Sequence, residues 1–242
     1  MNYQTLTPDK DPMGAAILAH QQTGRGGKIR VLSSMFDEDS IDVQYLFRDE
    51  KAMPALEQAA LRLVHGRVLD VGAGAGCHAL ALQSEHEVTA IDVSPLSVEA
   101  MGLRGVKDCR CVNLFDPALN DSFDTILMLM NGSGIIGNLR NMPVFFDRIK
   151  ALLAPGGQLL MDSSDLKYLY ENEDGSYDID PSGEYYGQVD FQMVFKKTCG
   201  DSFDWLYVDF ETLKMLAELN GCRCEKVQEG SHYDYLARIT VR

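Results

Sequence analysis

The stretch Val68-Leu69-Asp70-Val71-Gly72-Ala73-Gly74-Ala75-Gly76 decides the fold. A short apolar segment ends at the first of three alternating glycines, a pattern typical of a buried strand followed by a tight turn into a helix. Glycines permit backbone angles with positive φ and let a ligand approach the backbone with no side chain between them. The helix that follows would offer free N–H groups at its start. We therefore expect a ligand site at this turn.

Short apolar segments alternate with helix-length segments downstream of this turn. The predicted strands cover 68–71, 88–91, 109–112, 123–130 and 158–161, and the predicted helices between them cover 75–84, 95–102 and 141–153. Continuous apolar strands separated by helices indicate a parallel sheet that is covered on both faces. We therefore predict an α/β protein of the doubly wound class.

The regions on either side of this pattern do not show the same alternation of strands and helices. Residues 1–66 are predicted to be mostly helical, with helices over 12–22 and 54–64. Residues 165–208 precede a last helix (210–219) and two last strands (222–227 and 233–241), and their segments 186–197 and 203–208 can pair as a hairpin. We expect an N-terminal helical extension (1–66) and a main domain (67–242) whose insertion at about 165–208 is a lid or an oligomer contact.

The charge balance excludes some partners. The 242 residues include 22 Lys and Arg against 36 Asp and Glu, a net charge of −14, and this excess argues against broad contact with nucleic-acid phosphates. No apolar stretch approaches the roughly 20 residues of a membrane helix, and the first five residues lack the basic start of a secretion signal. We expect a cytoplasmic protein that binds neither nucleic acid nor membrane. The acidic surplus is concentrated in 165–211, which is more typical of a solvated face than of a site for a cationic acceptor.

The cysteines include two Cys-x-Cys pairs, 109/111 and 222/224. Structural zinc sites usually place two to four residues between their cysteines, whereas residues i and i+2 of a strand simply share a face. We predict reduced thiols that are buried in strands, and no metal site.

The glycine turn is not a dinucleotide fingerprint, because Gly-x-Gly-x-x-Gly needs a glycine where this chain has Cys77. This disfavours a nicotinamide-dependent dehydrogenase. Asp70 can receive an ammonium group or fix the amides of the turn. Asp92, at the end of the next apolar segment, can accept hydrogen bonds from both hydroxyls of a ribose. Together these residues predict a nucleoside that is joined to an amine-bearing group.

Four motifs in order resemble the class I S-adenosylmethionine-dependent methyltransferases. They are the glycine turn at 68–76, Ile91-Asp92, Phe123-Asp124-Thr125-Ile126-Leu127, and the segment 152–160, Leu-Leu-Ala-Pro-Gly-Gly-Gln-Leu-Leu. The resemblance covers 67–163 motif by motif and 209–242 by the order of elements. It implies S-adenosylmethionine as cofactor and a Rossmann-like, mostly parallel seven-stranded sheet, with the last strand antiparallel between the fifth and sixth.

The resemblance also implies roles for individual positions. Asp70 and Gly72 should lie beside the methionine amine of the cofactor, and Asp92 on its ribose. Asn113 stands where the family usually has an acidic residue for the adenine, and its amide oxygen can still accept a hydrogen bond. The predicted cofactor-binding residues are Asp70, Gly72, Ala73, Gly74, Gly76, Asp92, Val93, Asn113, Leu114, Asn131 and Gly132.

The acceptor site is predicted from weaker signals, and no catalytic residue is assigned. Tyr45 and Arg48 form an aromatic and basic segment that could close over the cofactor or simply pack, and Asp162 and Asp165 end the fifth strand, where a general base or a helix cap could stand. The other candidates, each with an ordinary packing or surface role as the alternative, are Tyr185, Tyr186, Trp205, Tyr207 and His232. We expect methyl transfer to a small molecule. A non-catalytic cofactor-binding protein and a protein methyltransferase are the alternatives.

Overall fold

The computed structural model describes residues 4–180 and 183–242. Residues 1–3, which belong to the stretch in which we expect no secretion signal, and residues 181–182 of the insertion lie outside the described residues. The strands β1 to β12 span Lys28–Leu32, Asp39–Asp42, Val68–Val71, Val88–Asp92, Cys109–Cys111, Phe123–Met128, Leu153–Ser164, Gln188–Phe195, Thr198–Cys199, Phe203–Leu206, Cys222–Glu229 and Asp234–Val241. The helices α1 to α6 span Pro12–Thr23, Ala55–Leu63, Cys77–Leu82, Pro95–Arg104, Met142–Leu152 and Phe210–Leu219. Within the described ranges, no helix is long and apolar enough to cross a membrane.

Seven strands form the larger sheet, in the order β11-β12-β7-β6-β3-β4-β5. The strands from β3 to β7 run parallel, and β12 is antiparallel to both β7 and β11. The predicted doubly wound α/β sheet, with its antiparallel last strand between the fifth and sixth, is confirmed. The carboxyl ends of the parallel strands meet at one edge, and a crevice opens there because β3 has β4 on one side and β6 on the other.

Helices cover both faces of this sheet, and its central strands β3 and β6 are mostly apolar and buried. All four residues of β3 are buried. On one face, Phe145 and Phe146 of α5 pack in the same cluster as Phe123 of β6. On the other face, α2, α3 and α4 supply a second cluster that contains Leu56 and Met101. The two clusters hold the glycine turn on a rigid scaffold.

A second sheet joins the N-terminal region to the insertion. Its order is β10-β8-β1-β2, with β9 attached to β8. Strand β1 pairs with β8 through Arg30 and Val194, and β8 pairs with β10 through Phe191 and Phe203, so the predicted hairpin of the insertion is confirmed. Helix α1 packs on one half of the inner face, where Ala16 joins a cluster with residues of β1 and β8. We call this sheet together with α1 the cover.

The structure differs from two sequence-based expectations. Strands β1 and β2 were not predicted, because Asp39–Asp42 has little apolar character and its partners lie far away in the chain. Cys222 and Cys224 are buried, as expected for strand cysteines. The expectation that all four cysteines of the Cys-x-Cys pairs are buried is wrong for Cys111, which is exposed because β5 is an edge strand. The acidic side chains of the insertion are mostly exposed, as a solvated face requires.

Candidate functional site

The turn after β3 brings three glycines to the carboxyl edge of the sheet in the left-handed conformation. Gly72, Gly74 and Gly76 have φ values of 70°, 55° and 81°, which other residues rarely adopt. The amides of Gly72 and Ala73 both donate to Ile91 O, at 2.9 and 3.0 Å, and this ties the turn to the end of β4. A Cβ on Gly72 would lie 3.0 Å from the Ile135 side chain, so a glycine keeps the space above the turn open.

Asp92 closes the turn from the end of β4. Its Oδ2 accepts from the amide of Gly74 at 2.8 Å, and its Oδ1 accepts from the amide of Ser94 at 2.9 Å. Burial raises the pKa of Asp92 to about 6, although both hydrogen bonds oppose the shift. A carboxylate offers about four acceptor positions, so two remain for donors from a ligand. Val93, the next residue, contacts the N-terminal segment through a hydrogen bond from the amide of Leu6 at 2.8 Å.

The loop after β6 is strained where it meets the turn. Met130 and Asn131 have φ values of 65° and 58°, and two consecutive left-handed residues other than glycine are costly. Asp162, from the end of β7, stabilises this loop because its Oδ1 accepts from the amide of Gly132 at 2.9 Å. Burial raises the pKa of Asp162 to about 6, against the hydrogen bonds from the loop amides. Backbone strain of this kind concentrates at functional sites.

Two buried oxygens beside the turn lack a partner among the residues that the structure describes. They are Asp70 Oδ2 and Asn131 Oδ1, from side chains that follow or end neighbouring strands. A buried acceptor without a donor costs free energy that a ligand can recover. Both atoms accept hydrogen bonds, so they fit the ammonium group of the expected cofactor.

The predicted adenine segment follows β5. Leu114 is buried, and the side-chain oxygen of Asn113 accepts from the amide of Phe115 at 3.0 Å, which makes a local turn. The Asn113 oxygen therefore has one acceptor position engaged within its own segment, and its predicted contact with adenine would use the other.

The acceptor-site candidates fall into two groups. Tyr45 is 45% exposed and lies within the electrostatic range of Asp162, whose charge adds to the burial that raises the pKa of the phenol. Arg48 is instead buried, and its Nη2 lies 2.5 Å from Glu57 Oε2. Asp165 caps a 3-10 helix by accepting from the Lys167 amide, and it also accepts from the Tyr186 hydroxyl at 2.8 Å. Arg48, Asp162 and Asp165 thus each have a partner within the chain, and Tyr45 is the most exposed of the four.

Aromatic residues line the half of the inner face of the cover that α1 leaves free. Phe191 lies 6.4 Å from both Phe203 and Tyr207 between ring centroids, and Trp205 packs against Gly134, where a Cβ would overlap its ring. The four aromatic side chains are only partly buried. Of the other candidates, Tyr185 donates to Asp209 Oδ2 at 2.6 Å, and His232 is exposed.

Sequence reasoning missed Glu57, His78 and Ser133, while Ser163 lies at the end of the fifth strand beside the candidates Asp162 and Asp165. Glu57 and His78 are buried and hydrogen-bonded to each other, although each stands on a helix that looks amphipathic. Ser133 and Ser163 share a 2.7 Å hydrogen bond beneath the cover. The one available signal was a polar residue at a core position of a helix, which does not reveal its partner.

Known proteins share both the sequence motifs and the fold. A family model described as a methyltransferase domain matches residues 69–159. A structure of an S-adenosylmethionine-dependent methyltransferase from Bacteroides fragilis, in complex with S-adenosyl-L-homocysteine, is 60% identical, with a TM-score of 0.94 over 100% of this chain and 99% of that one. The DhpI–SAM–HEP complex is 19% identical, with a TM-score of 0.60 over 98% and 100% of the two chains. CalS10, an amino pentose methyltransferase from Micromonospora echinaspora, is 15% identical, with a TM-score of 0.55 over 86% and 100%. None of the curated proteins compared with the chain matches it.

Proposed function

The chain belongs to the S-adenosylmethionine-dependent methyltransferases, and we propose that its acceptor is a small molecule. S-adenosylmethionine supplies an electrophilic methyl group on a sulfonium sulfur. The transfer is an in-line displacement: a bond forms between the acceptor atom and the methyl carbon, the carbon–sulfur bond breaks, and its electron pair stays on the sulfur of S-adenosylhomocysteine. The enzyme must align the two reactants and exclude water.

The observation that carries the proposal is the way the cover is fixed over the carboxyl edge of the sheet. Leu206 O, at the end of β10, accepts from Ser133 Oγ at 2.8 Å, and the amide of Val208 donates to Ser163 Oγ at 2.9 Å. These bonds hold the insertion directly on the loop that follows β6 and on the last residues of β7. A folded protein would have to displace the cover to reach this edge, whereas a small molecule would not.

We assign the methyl donor to the residues at the glycine turn. Its ammonium group would meet Asp70 Oδ2 and Asn131 Oδ1, which are the two unpartnered acceptors. Its ribose would use the free acceptor positions of Asp92. The remaining assigned contacts are backbone or apolar ones from Gly72, Ala73, Gly74, Gly76, Val93, Asn113, Leu114 and Gly132.

We assign the acceptor to the space between the aromatic half of the cover and Asp162. Trp205 and Tyr207 would contact an apolar or ring-shaped body. Asp162, with a pKa of about 6, is ionised at neutral pH and can take the proton that a nucleophile loses when it is methylated. Tyr45, whose side chain is exposed, would orient the nucleophile. CalS10 acts on an amino pentose, which illustrates the size of acceptor that this fold accommodates.

The free cysteines support a reducing, cytoplasmic location, because disulfides are rare in that compartment. The net charge of −14 supports the absence of a nucleic-acid partner.

The test is transfer of labelled methyl groups from S-adenosylmethionine into a cell extract that has been split by ultrafiltration. Label in the small-molecule fraction that depends on the enzyme supports the proposal. Label that enters only the retained proteins would overturn it and favour a protein acceptor. The Asp162→Asn variant, incubated in parallel, separates enzymatic transfer from spontaneous methylation.

A further inference from the structure

A chain of four buried charged side chains lies behind the glycine turn. Arg48 Nη2 is 2.5 Å from Glu57 Oε2, the same oxygen is 2.7 Å from His78 Nε2, and His78 Nδ1 is 3.8 Å from Asp70 Oδ1. None of the four residues is more than 8% exposed. They come from the N-terminal region, α2, α3 and β3, so no single element requires them to meet.

The imidazole in this chain lies between two carboxyl groups, those of Glu57 and Asp70. Burial alone would lower the pKa of His78, but the carboxylates of Asp70 and Glu57 outweigh it and raise the pKa well above its ordinary value. The cluster therefore pairs two basic side chains with two acidic ones. Burial of charges is tolerated only when they are paired, and removal of one member leaves its partner uncompensated.

The cluster leaves one carboxyl oxygen, Asp70 Oδ2, without a partner among the described residues. The Asp70 oxygen on the His78 side is Oδ1, while Oδ2 is buried and has no partner among the described residues. An unpartnered carboxyl oxygen at the end of such a chain is suited to receive a further cation. The methyl donor carries one, its ammonium group.

We propose that Glu57 and His78 are positioning residues for the methyl donor. The imidazole of His78, beside Asp70 Oδ1, fixes the side chain of Asp70 so that Oδ2 is offered to the ammonium group. Glu57 holds the imidazolium in place. The inference rests on the assignment of the ammonium group to Asp70 that is made under the proposed function, and not on the identity of the acceptor.

Arg48 extends this role to the cover. Its Nη1 donates to Tyr45 O at 2.9 Å, and its guanidinium lies 4.5 Å above the Tyr45 ring. The segment Val43–Phe47, which leads into Arg48, packs against α1 through Val43 and Phe47. The charge chain thus links the segment Val43–Phe47 to the carboxyl group that we assign to the donor.

The test compares two ligands that differ only at the end in question. S-adenosylhomocysteine has the ammonium group, whereas 5′-methylthioadenosine keeps the nucleoside and sulfur but lacks the amino-acid end. We expect Glu57→Gln and His78→Gln each to lower the affinity for S-adenosylhomocysteine by about 10- to 100-fold, as measured by calorimetry. This is the range expected for the loss of a charge-assisted hydrogen bond. We expect 5′-methylthioadenosine to bind within about twofold of the wild type, because the Asp92 end of the site is unchanged.

Equal losses for the two ligands would overturn the inference, because they would show that the charge chain only supports packing. Unchanged binding of S-adenosylhomocysteine would overturn it as well. Arg48→Lys keeps a cation next to Glu57, and it covers the case in which the other variants do not fold. Arg48→Lys should also lower the affinity for S-adenosylhomocysteine more than that for 5′-methylthioadenosine, but by a smaller factor. If this selective loss is absent, the result counts against the proposal.

Glu225→Gln is the matched control, because it removes the partner of Arg238 on the distant β11–β12 pair and should change neither ligand. The proposed function can fail separately. Failure to find a small-molecule acceptor would leave these binding results intact.

Discussion

The backbone amide of Gly74 donates a 2.8 Å hydrogen bond to Oδ2 of Asp92, so the centre of the glycine turn is held by the residue assigned to the ribose. The same carboxylate shapes the turn and is offered to the ligand. A substitution of Asp92 should therefore act on both.

We expect Asp92→Ala to weaken the binding of S-adenosylhomocysteine by about 1–3 kcal/mol, which is the cost of losing hydrogen bonds to a charged group. Asp92→Asn keeps one acceptor oxygen and should lose less. Isothermal titration calorimetry measures both, and thermal unfolding of each variant checks that the turn survives. Affinity of the alanine variant within twofold of the wild type would argue against a ribose contact.

Binding should also depend on pH. The pKa of Asp92 is about 6, so acidification from pH 7 to pH 5 protonates the carboxylate and removes acceptor positions. We expect the affinity for S-adenosylhomocysteine to fall over this range in the wild type and to change less in Asp92→Asn. A flat wild-type profile would contradict the assignment.

Asp162→Asn should reduce turnover while it leaves the cofactor bound. The amide oxygen can still accept from Gly132, so the loop keeps its support, but the side chain can no longer take a proton. We expect kcat to fall by about 10²- to 10⁴-fold for an acceptor that must lose a proton. Calorimetry with S-adenosylhomocysteine provides the control. Unchanged kcat would exclude Asp162 as the base.

The same variant reports on stability. Asp162 titrates near pH 4 when unfolded and at about 6 when folded, so between these values the folded state holds an extra proton. The contribution of this group is full below about pH 4 and is lost as the pH rises through 6. Relative to Asp162→Asn, the wild-type free energy of unfolding should fall across this window by at most about 1.4 kcal/mol per pH unit. Urea unfolding at several pH values measures this difference, and a constant difference would refute the raised pKa.

Gly134→Ala should disturb the packing of the cover on the loop after β6, because the added Cβ would overlap the Trp205 ring. Overpacking costs about 1–3 kcal/mol, which urea unfolding can detect. Gly102→Ala is the matched control, since it lies inside α4 with nothing within 4 Å of the added Cβ. It should be neutral or stabilise the protein by up to about 1 kcal/mol. Equal effects of the two changes would mean that Trp205 moves freely.

The central sheet was predictable because its signals are local. A window of a few residues is enough to predict the apolar strands Val68–Val71 and Val88–Asp92. The glycine turn likewise predicts the helix that follows it. The positions of Asp70 and Asp92 at one edge then follow from parallel topology alone.

The cover and the charge chain could not be read in this way. Strand β1 finds its partner through Arg30 and Val194, which no short window of sequence connects. Glu57 looks like a surface residue of α2, and only the packing of α3 brings His78 to it. Long-range pairing decided these features, so the sequence indicated the elements without indicating their neighbours.

The shared sheet of the cover also has a consequence for the order in which the protein forms. During synthesis, β1 and β2 leave the ribosome long before β8, so their edge stays unpaired until most of the chain exists. Contacts between distant segments form slowly because a long loop must close first. We therefore expect the parallel strands β3 to β7 to assemble before the cover, with the glycine turn open to solvent until β8 pairs with β1 and β10. During synthesis, the carboxyl edge of the central sheet would therefore form early and the cover would form late.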